Sequence, residues 1–232
     1  MGIEENIAFI RERIEAAARR AGRDAGDVAL MAVTKTHPPE RIREAHAAGL
    51  RLFGENRVQE FAGKAAALAD LNGAEWHMIG HLQTNKAGKA AELFSAVDSV
   101  DSVKLAEKLD GAAKALNKTL RVLIEVNVGG ETAKSGIAPF ARELEELLVA
   151  APRFEALDVC GFMTVPPFSE DPQDARPYFQ KLRRLRESIE ARCLPAIQMD
   201  VLSMGMSHDF EVAIEEGSTC VRVGTAIFGD RR

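Results

Sequence analysis

The sequence predicts an α/β protein that folds as a single (β/α)8 TIM barrel. Short apolar runs, eight in all and rich in β-branched residues, alternate with amphipathic stretches along the 232 residues. Such alternation is typical of parallel strands joined by helices, and a chain of this length can bury one large core. An open doubly wound sheet is the alternative, but no G-x-G-x-x-G motif follows the first strand. We therefore expect one domain over residues 1–232.

Hydrophobic periodicity assigns the elements in chain order. The opening helix, 3–20, carries an apolar stripe of isoleucines, Ile3, Ile7, Ile10 and Ile14. The predicted strands are 28–34, 50–53, 75–79, 95–99, 120–127, 156–163, 199–203 and 219–223. Helical patterns lie between them at 39–48, 57–70, 84–93, 102–115, 138–150, 173–192 and 207–216. Because few residues follow the eighth strand, we expect the opening helix to cover the barrel there.

Composition and charge exclude several classes of protein. A net charge of -5 gives no attraction for nucleic acid or for an acidic membrane, and no apolar run reaches the length of a membrane span. The N-terminus lacks the apolar region of a secretory signal. The cysteines, Cys160, Cys193 and Cys220, show no metal-ligand spacing. We therefore expect a cytoplasmic protein with free thiols and no metal site.

Two neighbouring strand ends carry small hydroxyl and glycine residues. Ser203 and Gly205 close strand seven, and Gly224 and Thr225 follow strand eight, where a short helix could begin. Barrel enzymes frequently bind phosphate with the loops after these two strands and the N-terminus of an extra helix. The pattern therefore indicates a phosphate site. The alternative is that these residues only form turns and caps.

Lys35 ends the first predicted strand, so its amine is expected at the mouth of the barrel. Desolvation and neighbouring cations lower the pKa of a lysine, which favours formation of a Schiff base. The alternative is a lysine whose amine reaches solvent at a strand end. A phosphate site across the same mouth favours the first interpretation, and the two features together suggest pyridoxal 5′-phosphate (PLP) as cofactor.

Arg222 lies one residue inside the end of strand eight, where alternate side chains point into the barrel. An inward arginine needs a partner, and either a pyridine nitrogen or a carboxylate such as Glu125 could serve. Facing a pyridine nitrogen, the arginine would keep that nitrogen unprotonated and the ring a weak electron sink. A buried structural ion pair is the alternative.

Further candidates come from other strands and loops. Asn56, His77 and Met163 could line the pocket wall beside the ring, although a histidine within a strand is often a satisfied core residue. Lys134, in the loop after strand five, could contact an anionic ligand or water.

Long segments of the chain resemble the pyridoxal phosphate homeostasis protein family. The motifs that carry the resemblance run in order over nearly the whole chain: 32–36 (AVTKT), 53–60 (FGENRVQE), 75–86 (EWHMIGHLQTNK), 134–136 (KSG), 202–207 (LSMGMS) and 217–229 (GSTCVRVGTAIFG). The resemblance implies a barrel of the type found in the N-terminal domain of alanine racemase.

The same resemblance implies roles for single residues. Lys35 is expected to form the covalent aldimine with PLP, Arg222 to face the pyridine nitrogen, and Ser203, Gly224 and Thr225 to hold the phosphate. Family members are regarded as carriers that balance vitamin B6 and amino-acid pools without established turnover. Our own hypothesis is a monomer that exchanges PLP with apo PLP enzymes, by transient contact, or with the free pool. One departure is His37, where the family often has a second lysine. This departure leaves Lys134 as a possible relay in cofactor transfer.

Three other functions remain open from the sequence. A PLP-dependent racemase or lyase would need a second acid or base opposite the lysine, and the one tyrosine, Tyr178, lies within a helical pattern. A barrel enzyme could instead form a lysine imine with a sugar phosphate. A module that docks on PLP enzymes is the third.

Overall fold

Eight parallel strands close into one barrel in the computed structural model, which describes residues 2–131 and 135–229. The strands are β1 (Ala29–Val33), β2 (Leu52–Glu55), β3 (Glu75–Met78), β4 (Ala96–Val100), β5 (Leu120–Glu125), β6 (Leu157–Met163), β7 (Ile197–Met206) and β8 (Cys220–Val223). Each strand pairs with the next along the chain, and β1 also pairs with β8. The predicted (β/α)8 barrel is confirmed.

The helices of the described residues surround this barrel. They are α1 (Ile3–Arg20), α2 (Pro39–Ala47), α3 (Val58–Ala65), α4 (Ala87–Leu93), α5 (Val103–Ala115), α6 (Arg142–Ala150), α7 (Arg176–Glu190), α8 (Phe210–Glu215) and α9 (Thr225–Phe228). The isoleucine stripe of α1 is buried, and α1 packs against α2, α8 and α9. Since α9 is a single turn, α1 covers the barrel beside β8 and β1, as the sequence predicts.

Some predicted bounds differ from the structure. β2 runs two residues later than predicted because Gly54 can lie in the crowded barrel interior, where a Cβ atom would be 2.7 Å from the Met31 sulfur. α6 begins at Arg142 rather than at 138, since Phe140 adopts a left-handed conformation with φ of 61°. β7 continues to Met206 through Gly205, whose φ is 95°.

Two apolar regions make up the core. The larger one lies between the barrel and its helices and contains most of the buried residues of α1 to α9. A smaller cluster of Leu123, Cys160 and Met163 fills the barrel interior, with Ile79 and Val201 against it. The apolar core thus includes residues inside the barrel as well as residues between the barrel and its helices. No described helix has the length and apolar character needed to cross a membrane.

Candidate functional site

A cavity of about 370 Å³ opens at the C-terminal ends of the strands. Its wall includes Lys35 after β1, Arg222 in β8, and Gly224 and Thr225 at the start of α9. These residues are far apart in sequence, but β1 pairs with β8 when the barrel closes. The structure thus brings together four of the eight residues that sequence reasoning assigned to the site. This end of a barrel is also where its enzymes carry out their chemistry.

Backbone N–H groups at the start of α9 point toward a single oxygen. The Ser207 hydroxyl accepts hydrogen bonds from the amides of Gly224 at 3.3 Å and Ala226 at 3.5 Å. Ser207 lines the cavity, whereas the predicted Ser203 lies fully buried within β7 and outside the cavity wall. Since β7 is longer than predicted, the hydroxyl at this corner is that of Ser207. The sequence feature that could have indicated Ser207 is its position directly after the Met204-Gly205-Met206 run.

Arg222 is 2% exposed and is held by three oxygen acceptors. Its Nη1 donates to the carbonyl oxygen of Ser203 at 2.6 Å and to the Ser203 hydroxyl at 2.7 Å, and its Nη2 donates to the Thr164 carbonyl oxygen at 2.7 Å. Burial lowers the pKa of the guanidinium, and acidic groups around it oppose the change. Glu125 forms no ion pair with Arg222 among the described residues. The side chain is therefore fixed by two backbone carbonyls and the Ser203 hydroxyl rather than by a carboxylate.

Glu125 nevertheless belongs to the electrostatic surroundings of the site. Its Oε2 atom is buried and has no hydrogen-bond partner within the part of the chain that the structure describes. Burial raises the pKa of Glu125 to about 7, the Asp101 charge adds to the rise, and Arg222 opposes it. The pKa of this carboxyl group therefore lies close to neutral pH.

A buried charge cluster supports the connection that carries Lys35. Glu55, at the end of β2, is fully buried and lies 2.7 Å from the Lys64 ammonium of α3. The hydroxyl of Thr34 donates to the same carboxylate, and Lys64 donates to the Thr34 carbonyl oxygen at 2.9 Å. Burial raises the pKa of Glu55, and Lys64 and the Thr34 hydroxyl oppose that rise. Sequence reasoning missed Lys64, whose only local signal is its i, i+4 spacing from Glu60.

His77 lies at the opposite end of the barrel. It lines a second cavity of about 290 Å³ at the N-terminal ends of the strands. Its Nδ1 atom is 3.0 Å from Oδ1 of Asp98, a residue 1% exposed. Alternate residues of a strand face inward, so Ile79 takes the next inward position toward the first cavity. The Nε2 atom of His77 is buried and has no hydrogen-bond partner within the described residues, so the histidine is only partly satisfied and lies away from the first cavity.

Met163, Asn56 and His37 do not line the first cavity. Met163 is fully buried in the cluster inside the barrel. Asn56 follows β2, and its Oδ1 atom is buried without a hydrogen-bond partner in the described residues. The ring of His37 stacks on Phe228 at a centroid distance of 4.4 Å. Lys134 falls outside the described residues.

Comparison with known proteins identifies the family. The family model described as "Alanine racemase, N-terminal domain" matches residues 6–232. A protein of Aquifex aeolicus named "Pyridoxal phosphate homeostasis protein" is 47% identical over 228 residues, which cover 98% of each chain. A Pseudomonas aeruginosa protein of the same name is 46% identical over 229 residues, 99% of this chain and 96% of that one. The chain belongs to the pyridoxal phosphate homeostasis protein family.

A solved structure extends the similarity to three dimensions. The structure of PipY from Synechococcus elongatus PCC7942 with PLP bound has a TM-score of 0.86 and 36% identity, covering 98% of this chain and all of that one (100%). The barrel of the homeostasis family is therefore preserved along the length of both chains. The family model also confirms the alanine racemase type of barrel that the sequence motifs implied.

Proposed function

We propose that this protein binds PLP reversibly through Lys35 and carries it as a single-domain homeostasis protein, without catalytic turnover of its own. One observation carries the proposal: Lys35, Arg222 and the corner formed by Gly224 and Thr225 lie in the wall of one cavity. The name of the relatives and the PLP-bound structure of PipY point to the same ligand.

The residues present fit PLP in size and in chemistry. A cavity of about 370 Å³ lies in the usual range for small ligands, about 300–1,000 Å³. PLP has a phosphate, an aldehyde and a pyridine nitrogen, and the cavity wall offers backbone N–H donors, a primary amine and a guanidinium. The corner of Gly224 and Ala226 already holds an oxygen atom, that of Ser207.

Each part of the wall has a distinct task in this proposal. The amides of Gly224 and Ala226 and the hydroxyls of Ser207 and Thr225 hold the phosphate, because N–H groups at the start of a helix favour an anion. Bound PLP supplies an aldehyde with which the amine of Lys35 can condense reversibly.

Arg222 explains why the protein would carry the cofactor without using it. Its guanidinium is held in place by Ser203 and Thr164, and it stays charged. A fixed positive charge would disfavour a proton on the pyridine nitrogen. The ring would then be a weaker electron sink, which disfavours catalysis. Tyr178, the tyrosine a racemase could use, lies on α7 and packs against the core outside the cavity wall.

We further propose that the protein works as a cytoplasmic monomer and passes PLP to apo PLP enzymes by transient contact. Two large apolar side chains on the cavity rim support such contact, since Phe168 is 81% exposed and Met206 is 41% exposed. Exposed apolar residues beside a ligand site are typical of surfaces that meet a partner.

An absorption spectrum tests the proposal. The purified protein incubated with PLP should show a visible band that Lys35→Ala abolishes, while Lys89→Ala, at an exposed position on α4, leaves it intact. An unchanged band in Lys35→Ala would refute the assignment. Inversion of a small amino acid that depends on Lys35 would favour the racemase instead.

A further inference from the structure

We propose that Glu55, Glu60 and Lys64 form a clamp that sets the position of Lys35 by holding the backbone on both sides of it. This inference rests on the proposed function, because it treats Lys35 as the residue that bonds to PLP. We refer to these three residues as the charge clamp. They are positioning residues, since none of them lines the cavity.

Lys64 is the centre of the clamp. Its side chain is 8% exposed, although it lies on an outer helix, where lysines normally reach water. Its ammonium lies 2.7 Å from Glu55 and 3.4 Å from Glu60. It also donates to the carbonyl oxygens of Thr34 at 2.9 Å and His37 at 3.4 Å. A buried ammonium thus binds the backbone both before and after Lys35.

The carboxylates of Glu55 and Glu60 also hold the backbone beside Lys35. Glu55 accepts a hydrogen bond from the Thr34 hydroxyl, and Glu60 accepts one from the backbone N–H of Thr36. Thr36 has a φ of 65°, a left-handed conformation that is unfavourable for a β-branched residue. Such a conformation persists only where its surroundings hold it. The hydrogen bond that the Thr36 N–H donates to Glu60 supplies that restraint, at the residue directly after Lys35.

The arrangement suits positioning better than general stability. The ion pair between Lys64 and Glu55 is buried, and such pairs add little net stability because both charges lose their hydration. The hydrogen bonds of the charge clamp join it to Thr34, Thr36 and His37, which are close neighbours of Lys35 in the chain. Small displacements of a reacting group lower reactivity strongly, and supporting shells of this kind hold such groups in place.

Variants separate positioning from folding. Glu60→Ala removes the acceptor for the Thr36 N–H, whereas Glu60→Gln keeps a carbonyl oxygen there. Lys64→Met with Glu55→Gln removes both buried charges together, which avoids an unpaired charge. Glu216→Gln is the matched control, since Glu216 is a buried carboxylate that pairs with Arg176 and lies outside the cavity wall.

PLP affinity and the pH dependence of the visible band are measured for each variant, below its unfolding temperature. We expect Glu60→Ala and the double variant to bind PLP about tenfold to a hundredfold more weakly, because each releases backbone that positions the Lys35 amine, and a displaced reacting group loses reactivity on this scale. The pH at which the visible absorption band changes should shift in Glu60→Ala and in the double variant. Glu60→Gln should recover most of the affinity, and Glu216→Gln should bind as wild type does.

Two results would overturn the clamp: wild-type affinity and pH profile in Glu60→Ala, or wild-type values in the double variant. Equal losses in Glu60→Ala and Glu60→Gln would overturn it as well, because the hydrogen bond to Thr36 would then be irrelevant. Failure of the proposed function would give a different result, since the wild-type protein itself would then show no PLP absorption band that depends on Lys35.

Discussion

Replacing Glu125 by glutamine should stabilise the PLP-free protein at neutral and alkaline pH and leave its stability unchanged in acid. Burial raises the pKa of this carboxyl group from 4.5 to about 7, and the Asp101 charge adds to the rise. One pH unit of difference corresponds to about 1.4 kcal/mol, so ionised Glu125 lowers the free energy of unfolding by about 3 kcal/mol. Glutamine has a similar shape and no charge to desolvate.

The direction of the effect follows from proton linkage. Well below pH 4.5, Glu125 is neutral in the folded and the unfolded chain, and the variant gains nothing. Between pH 4.5 and about 7 the unfolded chain releases its proton first, so wild-type stability falls as the pH rises. Above that range both states are ionised, and Glu125→Gln keeps its full advantage of about 3 kcal/mol.

Urea unfolding from about pH 4 to about pH 9 measures this difference. Glu143→Gln is the control, because Glu143 is an exposed carboxylate on α6. A difference between Glu125→Gln and wild type that stays constant with pH would refute the reasoning. The reasoning would also be refuted if the wild-type protein were more stable than Glu125→Gln at alkaline pH.

Three further substitutions test the surroundings of the site. Arg222→Met removes the three hydrogen bonds that the guanidinium donates to Ser203 and to the Thr164 carbonyl oxygen and should lower the free energy of unfolding by about 2–4 kcal/mol, as urea unfolding without PLP can show. Gly80→Ala places a Cβ atom 2.4 Å from the Asn56 carbonyl oxygen, and calorimetry should show a loss of about 1–3 kcal/mol. Asp98→Ala removes the acceptor of His77 in the second cavity. The substitution should lower the free energy of unfolding by about 1–3 kcal/mol, while a PLP titration should give wild-type affinity. Weaker PLP binding by the folded variant would contradict our choice of cavity.

The barrel could be predicted because its signals are local and repeated. Short apolar runs alternate with amphipathic stretches along the chain, so a misplaced bound did not change the number of predicted strands. The errors lie where backbone geometry depends on distant contacts. Gly54 extends β2 because Met31 and Ile79 leave no room for a side chain, and no local pattern reports that crowding.

The lining of the candidate cavity was predictable where a residue type and a strand end coincide, as at Lys35 and at Gly224 and Thr225. It was less predictable where the depth along a strand decides the outcome. His77 points into the barrel, but two residues too early to reach the C-terminal rim, and Ser203 lies inside a strand that runs three residues further. Lys64 could not be identified, because its partners lie on β2 and on the connection after β1.

Reduction with borohydride followed by peptide mapping tests the central claim most directly. The protein is mixed with PLP, the bond between amine and aldehyde is fixed by reduction, and the modified lysine is located by mass spectrometry. Our account predicts a single stoichiometric modification at Lys35, lost in Lys35→Ala. A principal modification at another lysine, or none at saturating PLP, would contradict it.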